Sequence, residues 1–307
     1  METARQTAVP DAALRELARR ALAEDIGRGD VTTDTTVPED AVAYGSFVAK
    51  GAGEICVSGL VAARSVFEEA AEALRFTALV AEGAVVGPGT EVARVEGPAR
   101  AMLAAERVAL NLLMRLSGIA TFTRMYVAEC EGAGARVTDT RKTTPGLRAL
   151  EKAAVRAGGG VNHRSGLDDG VLIKDNHLAV AGGVTEAVRR ARAGAPHLLK
   201  VEVEVESEAA LREAIAAGAD AVLLDNMVPA EVARAVALAR EEAPGMLVEV
   251  SGGVDLSTVR AYAAAGPDLV SVGALTHSAP AADISLDVSV EAPSAFRGED
   301  IEEAPGD

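Results

Sequence analysis

Residues 198–225 read LLKVEVEVESEAALREAIAAGADAVLLD. The stretch divides into a Val-rich run, Leu198–Glu204, an amphipathic run, Glu208–Ala217, a glycine at Gly218 and a second apolar run, Ala221–Asp225. Alternation with a period of two predicts a strand, apolar residues spaced by three and four predict a helix, and a glycine directly after the helix fits a left-handed cap. The same unit recurs on both sides. Further strands are predicted at Arg136–Thr140, Val171–Asp175, Leu247–Ser251 and Leu269–Gly273, with a helix at Ala230–Glu242. Gly194 and Gly266 stand where further helices would be capped. Strand–helix alternation implies parallel strands with right-handed crossovers. Polar residues at the strand ends favour a barrel, with an open doubly wound sheet as the alternative. Within the KVEVEVE run, Glu202, Glu204 and Glu206 share a face. Helices between all the strands leave little sheet facing solvent, so the barrel interior or its mouth is the expected place for these acids rather than an exposed edge.

The first 115 residues differ. A helix is expected over Asp11–Glu24, a Gly-punctuated turn after it, a strand near Tyr44–Lys50, a helix over Arg64–Ala73 and a hairpin-like loop at Glu82–Thr90. Met102–Leu116 reads as a long helix leading into the barrel. The fold class is therefore α/β, with an N-terminal α/β sandwich domain (1–115, rejoined by 278–290), a partial (β/α) barrel (116–277) and an acidic tail (291–307).

The chain has 307 residues and a net charge of −16, from 46 acids and 30 bases. That balance disfavours nucleic acid or an anionic membrane as partner, since either needs a basic surface. No apolar run reaches membrane-spanning length, and the first residues lack the basic-then-apolar pattern of a secretory signal. Cys56 and Cys130 form no disulfide framework or metal spacing. The expectation is a soluble, cytoplasmic protein. Lysine is scarce, which fits either a salt-adapted host or a GC-rich genome.

One window departs from the acidic balance. From Arg136 to Lys174 there are eight basic residues and four acids. A cationic island in an acidic chain points to a pocket for a multiply charged anion. Arg141 and Lys142 follow a predicted strand, Lys174 ends another, and His163-Arg164 lies between them after three glycines. The C-terminal ends of barrel strands are where such folds keep their active sites. Arg148 and Arg156 read as ordinary solvated helix residues. Ser251-Gly252-Gly253 and Ser271-Val272-Gly273 follow the last two strands, the place where barrels bind phosphate through backbone N–H groups. Glu204 and Asp225 end their strands on the same rim, where they suit Mg²⁺, sugar hydroxyls or a developing cation. Asp225-Asn226 has a second reading as a helix cap.

Together these pieces resemble the quinolinate phosphoribosyltransferase family. The similarity runs from about Glu24 to Ser285 and rests on ERVALN from Glu106, TDTRKTTPGLR from Thr138, GGGVNHRSGL from Gly158, IKDNH from Ile173, KVEVE from Lys200, LDN from Leu224, SGG from Ser251 and SVG from Ser271. The resemblance implies joining of quinolinate to phosphoribosyl pyrophosphate with loss of CO₂, giving nicotinate mononucleotide and pyrophosphate for NAD synthesis. It implies that Arg107, Arg141, His163, Arg164 and Lys174 hold the dicarboxylate and that Lys142 and Lys174 meet the pyrophosphate. Ser251, Gly252, Gly253 and Gly273 would hold the 5′-phosphate. Glu204 and Asp225 would act on the ribose or on Mg²⁺, the expected cofactor. A homodimer or hexamer is also implied, with Arg107 supplied across the interface. The rival readings are a paralogue with another pyridine or nucleobase acceptor, a phosphate-binding barrel isomerase or aldolase, and a non-catalytic anion-binding regulator. A Schiff base on Lys174 is the covalent alternative, but no carbonyl substrate is implied.

Overall fold

A computed structural model describes residues 9–291; from residue 292 on, the expected acidic tail lies outside the described residues. The chain forms two compact units. Among the described residues, one comprises 9–121 together with 280–291, the other Phe122–Ala279.

In chain order the first unit contains α1 (Asp11–Ile26), α2 (Val31–Thr36), β1 (Val42–Ala49), β2 (Ile55–Cys56), α3 (Leu60–Ala70), β3 (Arg75–Ala78), β4 (Val85–Val86) and β5 (Glu91–Pro98). The long helix α4 (Ala99–Glu129) begins here. The expected Gly-punctuated turn is present, with Gly27 and Gly29 at positive φ, but it ends early: Val31–Thr36 is helical, because the Asp30 carboxylate accepts from the Thr33 amide at 3.0 Å and caps the helix. The expected long helix is also longer, running through Gly118. That glycine is a packing requirement, since a Cβ there would collide with the Pro280 carbonyl oxygen. The core of the unit is an aromatic cluster: Phe47 meets Phe67 and Phe76 at centroid separations of 5.9 and 5.8 Å.

The second unit continues with β6 (Arg136–Thr138), α5 (Arg148–Ala157), β7 (Val171–Ile173), α6 (Asp175–Ala181), α7 (Val184–Gly194), β8 (Val201–Val205) and α8 (Glu208–Ala217). It ends with β9 (Ala221–Asp225), α9 (Pro229–Glu242), β10 (Leu247–Ser251), α10 (Val259–Ala264), β11 (Leu269–Ser271) and α11 (Ala274–His277). The chain then returns to the first unit, where β12 (Ile284–Ser289) pairs antiparallel with β1 in a four-stranded sheet of order β12-β1-β5-β3.

The six strands of the second unit form a parallel sheet of order β6-β11-β10-β9-β8-β7. Strands β7 to β11 follow one another without reversal, which excludes the doubly wound alternative with its switch point. The free edge of β6 continues into a parallel bridge between Thr138 and Val161, so residues after α5 extend the partial barrel on that side. Gly218 and Gly266 have φ of +82° and +88° and fit the expected left-handed caps. Gly194 does not: α7 runs through it, and the Ala195 amide closes the last turn on Ala191 at 2.8 Å. Among the described residues no helix is long and apolar enough to cross a membrane.

Candidate functional site: the C-terminal rim of the barrel

Strand alternation sorts the interior into layers. On β8, Val201, Val203 and Val205 are buried while Glu202 and Glu204 point into the barrel, the expected interior placement. On β9, Leu223 and Asp225 share that face, and on β10 Glu249 and Ser251 do. The residues near the strand C-termini line a cavity of 460 Å³. Thr140, Arg141 and Lys142 enter it after β6, Leu172 and Lys174 from β7, Glu204 from β8, Asp225 from β9, Ser251 from β10 and Ser271 from β11, with His163 and Arg164 from the segment after α5. A second cavity of 260 Å³ lies deeper, towards the strand N-termini, bounded by Arg136, Lys200 and Leu247. His163, Arg164 and Glu249 line both.

The positive side of the rim is built under strain of charge. Arg164 has its pKa lowered by burial and then by the neighbouring Arg141 guanidinium. Its Nη1 donates to the Gly170 carbonyl at 2.8 Å. The Arg141 Nε is buried and has no hydrogen-bond partner among the described residues, and a buried unpaired donor costs about 1–3 kcal/mol. Two close guanidiniums lining one cavity are the complement of an anion with more than one carboxylate.

The negative side is Glu204 and Asp225. Burial, then the charge of Glu204, raises the Asp225 pKa, with Lys174 and Lys142 opposing. Lys174 Nζ donates to Glu204 Oε2 at 2.8 Å. Two carboxylates close enough to repel offer the hard oxygen donors that Mg²⁺ takes. The cap reading of Asp225 fails: Val228 occupies the N-cap of α9, and Asp225 instead accepts from the Asn226 side chain at 2.6 Å.

The glycine loop after β10 is conformationally committed. Gly252 and Gly253 have φ of +95° and +64°, where a side chain is strained. A Cβ on Gly252 would also lie 2.7 Å from the Asn226 amide nitrogen. Gly273 follows β11 and lies against the Lys142 side chain. Arg107 is exposed on α4, in the first unit.

Beneath the rim a buried network fixes the His163–Arg164 segment. Asp139, fully buried, pairs with Lys152 and accepts from Asn162 Nδ2 at 2.6 Å and the His163 amide at 2.9 Å. Lys152 Nζ also donates to the His163 carbonyl at 2.9 Å. Burial pushes Asp139 up and Lys152 down, and their mutual pairing opposes both shifts. Arg148 and Arg156 are not the solvated residues expected. Arg148 bridges Thr143 Oγ1 at 2.9 Å and the Ser165 carbonyl at 3.0 Å, and half-buried Arg156 donates to the Asn162 side chain. Helix α5 packs its polar face on the 162–165 segment, so both arginines brace loops. Sequence reasoning passed over Glu249. Its signal was available: LVEVS places an acid between valines in a covered strand, the pattern that drew attention to KVEVE.

An α/β barrel whose strand ends gather arginines, lysines and a histidine opposite paired acids, beside glycine loops, defines a barrel enzyme for polyanionic substrates. The chain belongs to the quinolinate phosphoribosyl transferase family: models of that transferase's N-terminal and C-terminal domains match residues 30–117 and 119–287. It is 43% identical over 277 residues, 90% of this chain and 94% of the relative, to a probable nicotinate-nucleotide pyrophosphorylase [carboxylating] of Bacillus subtilis. Identity is 45% over 279 residues, 90% of this chain and 97% of the relative, with the nicotinate-nucleotide pyrophosphorylase [carboxylating] of Mycobacterium leprae. The solved nicotinate-nucleotide pyrophosphorylase of Francisella tularensis superposes with a TM-score of 0.87 at 38% identity, covering 94% of this chain and 100% of that one.

Proposed function

We propose that this chain transfers the phosphoribosyl group of phosphoribosyl pyrophosphate to the ring nitrogen of quinolinate, with decarboxylation. The products are nicotinate mononucleotide, pyrophosphate and CO₂, and the reaction serves NAD biosynthesis. The observation that carries the substrate assignment is the neighbouring guanidiniums of Arg141 and Arg164 lining one cavity. A dicarboxylate answers both guanidiniums at once, whereas an aldolase or isomerase has no use for the pair.

In this reading Arg141, His163, Arg164 and Lys174 orient quinolinate. The 5′-phosphate rests on the N–H groups of Ser251, Gly252, Gly253 and Gly273. Lys142 and Lys174 meet the departing pyrophosphate, and Glu204 and Asp225 face the ribose, whose ring gains positive charge as the bond to pyrophosphate breaks. Catalysis is then positioning and electrostatics, with no covalent enzyme intermediate. Once the ring nitrogen is ribosylated its positive charge stabilises the electron pair left on the adjacent carbon when CO₂ departs. Glu204 and Asp225 are the residues that would hold Mg²⁺, which supplies charge neutralisation of the pyrophosphate. Arg107 is assigned to the site of a second copy in a homo-oligomer, as the family resemblance implies.

One assay tests the whole reading: formation of nicotinate mononucleotide and CO₂ from quinolinate, phosphoribosyl pyrophosphate and Mg²⁺. Turnover with nicotinate or a nucleobase in place of quinolinate, and none with quinolinate, would overturn it.

A further inference from the structure

Decarboxylation leaves an electron pair on C2 of the pyridine ring, and that carbon must gain a proton. The rim cations Arg141, Arg164, Lys142 and Lys174 are committed to anions. Below them, at the floor of the site cavity, His163, which also orients quinolinate, meets two acids that substrate binding does not consume. His163 Nε2 lies 3.2 Å from Glu202 Oε2 and 3.7 Å from Glu249 Oε1. Glu249 is 2% exposed and also accepts from the Ser271 hydroxyl.

The cluster has the composition of a transition-metal site, but its hydrogen bonding opposes that role. The Arg164 amide donates to His163 Nδ1 at 2.7 Å. The lone pair is thus on Nδ1 and the proton on Nε2, the atom a metal would need. The same bond disfavours the doubly protonated ring. Burial opposes charge on the ring, while the bond to Glu202 and the carboxylate charges favour it. Burial, then the Glu202 charge, raises Glu249 to about 7, with His163 and Ser271 opposing and Asp139 adding to the rise. Lys152, on α5, opposes charge on His163. A group near 7 both holds and releases a proton readily at neutral pH, and because the pair shares one labile proton, it titrates as a unit. With Nδ1 engaged by the Arg164 amide, that proton belongs on Glu249.

We propose that Glu249, positioned by His163, Glu202 and Ser271, is the proton donor to C2 of the decarboxylated pyridine and is recharged through the inner cavity. The proposal rests on the reaction assigned above. The bond between C2 and its carboxyl carbon breaks, CO₂ leaves, and the electron pair remains on C2. That pair takes the proton of the Glu249 carboxyl, forming the C2–H bond of nicotinate mononucleotide and leaving Glu249 a carboxylate. Water entering past Arg136 and Lys200 returns a proton to Glu249. Glu249 is suited to both steps, since it borders the site cavity on one side and the inner cavity on the other.

The test compares the wild-type protein with Glu249→Gln, which keeps the shape and a Ser271 contact but carries no transferable proton. Product is formed in equimolar H₂O and D₂O and its deuterium at C2 is read by NMR, alongside kcat and kcat/KM across pH. In Glu249→Gln, kcat should fall by about 10²–10⁴-fold, with KM for quinolinate changed by less than about threefold. Wild-type kcat should decline as pH rises through about 7; in Glu249→Gln that decline should vanish, and the deuterium ratio at C2 should change. Retention of either the declining limb or the wild-type ratio overturns the proposal. Glu202→Gln gives a second reading should Glu249→Gln not fold: removing that charge should move the limb to lower pH, and an unmoved limb overturns the proposal equally. A wild-type protein that makes no nicotinate mononucleotide removes the reaction assignment and this proposal together. That result is distinct from a wild type that turns over while Glu249→Gln matches it.

Discussion

Lys152→Met isolates the buried network under the rim. The Lys152 side chain is 3% exposed and its partner Asp139 is fully enclosed. Methionine fills the same space, so the change removes charge and hydrogen bonds but little packing. Breaking a buried pair by deleting one member costs about 3–5 kcal/mol, since the remaining charge is left without compensation. The lost bond to the His163 carbonyl adds about 1 kcal/mol. The result is a destabilisation of about 4–6 kcal/mol near neutral pH, read by urea unfolding with two probes to check for a single transition. The double variant Asp139→Asn with Lys152→Met has no stranded charge and should recover about half of that loss or more. The pH dependence has a definite sign. In Lys152→Met the folded pKa of Asp139 lies well above its unfolded value, so the folded state binds the proton more tightly. The penalty is complete above the folded pKa and disappears below the unfolded one, so the deficit should shrink as pH falls from neutral towards the ordinary Asp range. A single variant within about 1 kcal/mol of wild type, or a double variant less stable than the single, refutes the reasoning.

Three other outcomes are expected. Arg141→Ala should lower kcat/KM for quinolinate on the order of 10²-fold or more with no loss of stability, because its buried Nε has no hydrogen-bond partner among the described residues; near-normal quinolinate kinetics would count against the substrate assignment. Gly252→Ala should cost about 1–3 kcal/mol and raise KM for phosphoribosyl pyrophosphate, as measured by denaturation and initial rates, because the new Cβ meets Asn226 at a positive φ. Arg107→Ala and Lys174→Ala proteins, each inactive, should regain about a quarter of wild-type activity when mixed as dimers, since half the dimers are hybrids with one intact site; no recovery after mass spectrometry has verified hybrids would exclude a shared site.

Much of the barrel was legible because its strands and helices differ in period. Ala221–Asp225, Leu247–Ser251 and Glu208–Ala217 have the same limits in the sequence and in the structure. The rim was legible for a related reason: Lys174, Glu204, Asp225 and Ser251 occupy strand ends, and parallel strands place their ends together. What lies below the rim was not. Lys152 and Arg156 sit on an amphipathic helix whose polar face normally meets water. Here that face meets the loop carrying Asn162 and His163, a contact between segments that a linear pattern does not encode. Glu249 escaped notice because a single acid in an apolar strand gains its meaning from the imidazole opposite, which arrives from residues far away in sequence. Gly194 misled for the opposite reason: glycine permits a left-handed cap but does not impose one.

The Lys174–Glu204 contact at 2.8 Å has a consequence for ligand design. Before any ligand arrives the lysine already has a counter-ion, so binding an anion there is an exchange of partners. The affinity gained from Lys174 is the difference between two ion pairs, and Glu204 is released with its charge exposed to whatever enters next. Compounds that carry only negative groups would bind more weakly than their charge suggests, because they strand Glu204. Inhibitors that combine an anion for Lys174 with a hydroxyl or cationic centre for Glu204 would satisfy both halves of the exchange, as a ribosyl pyrophosphate would.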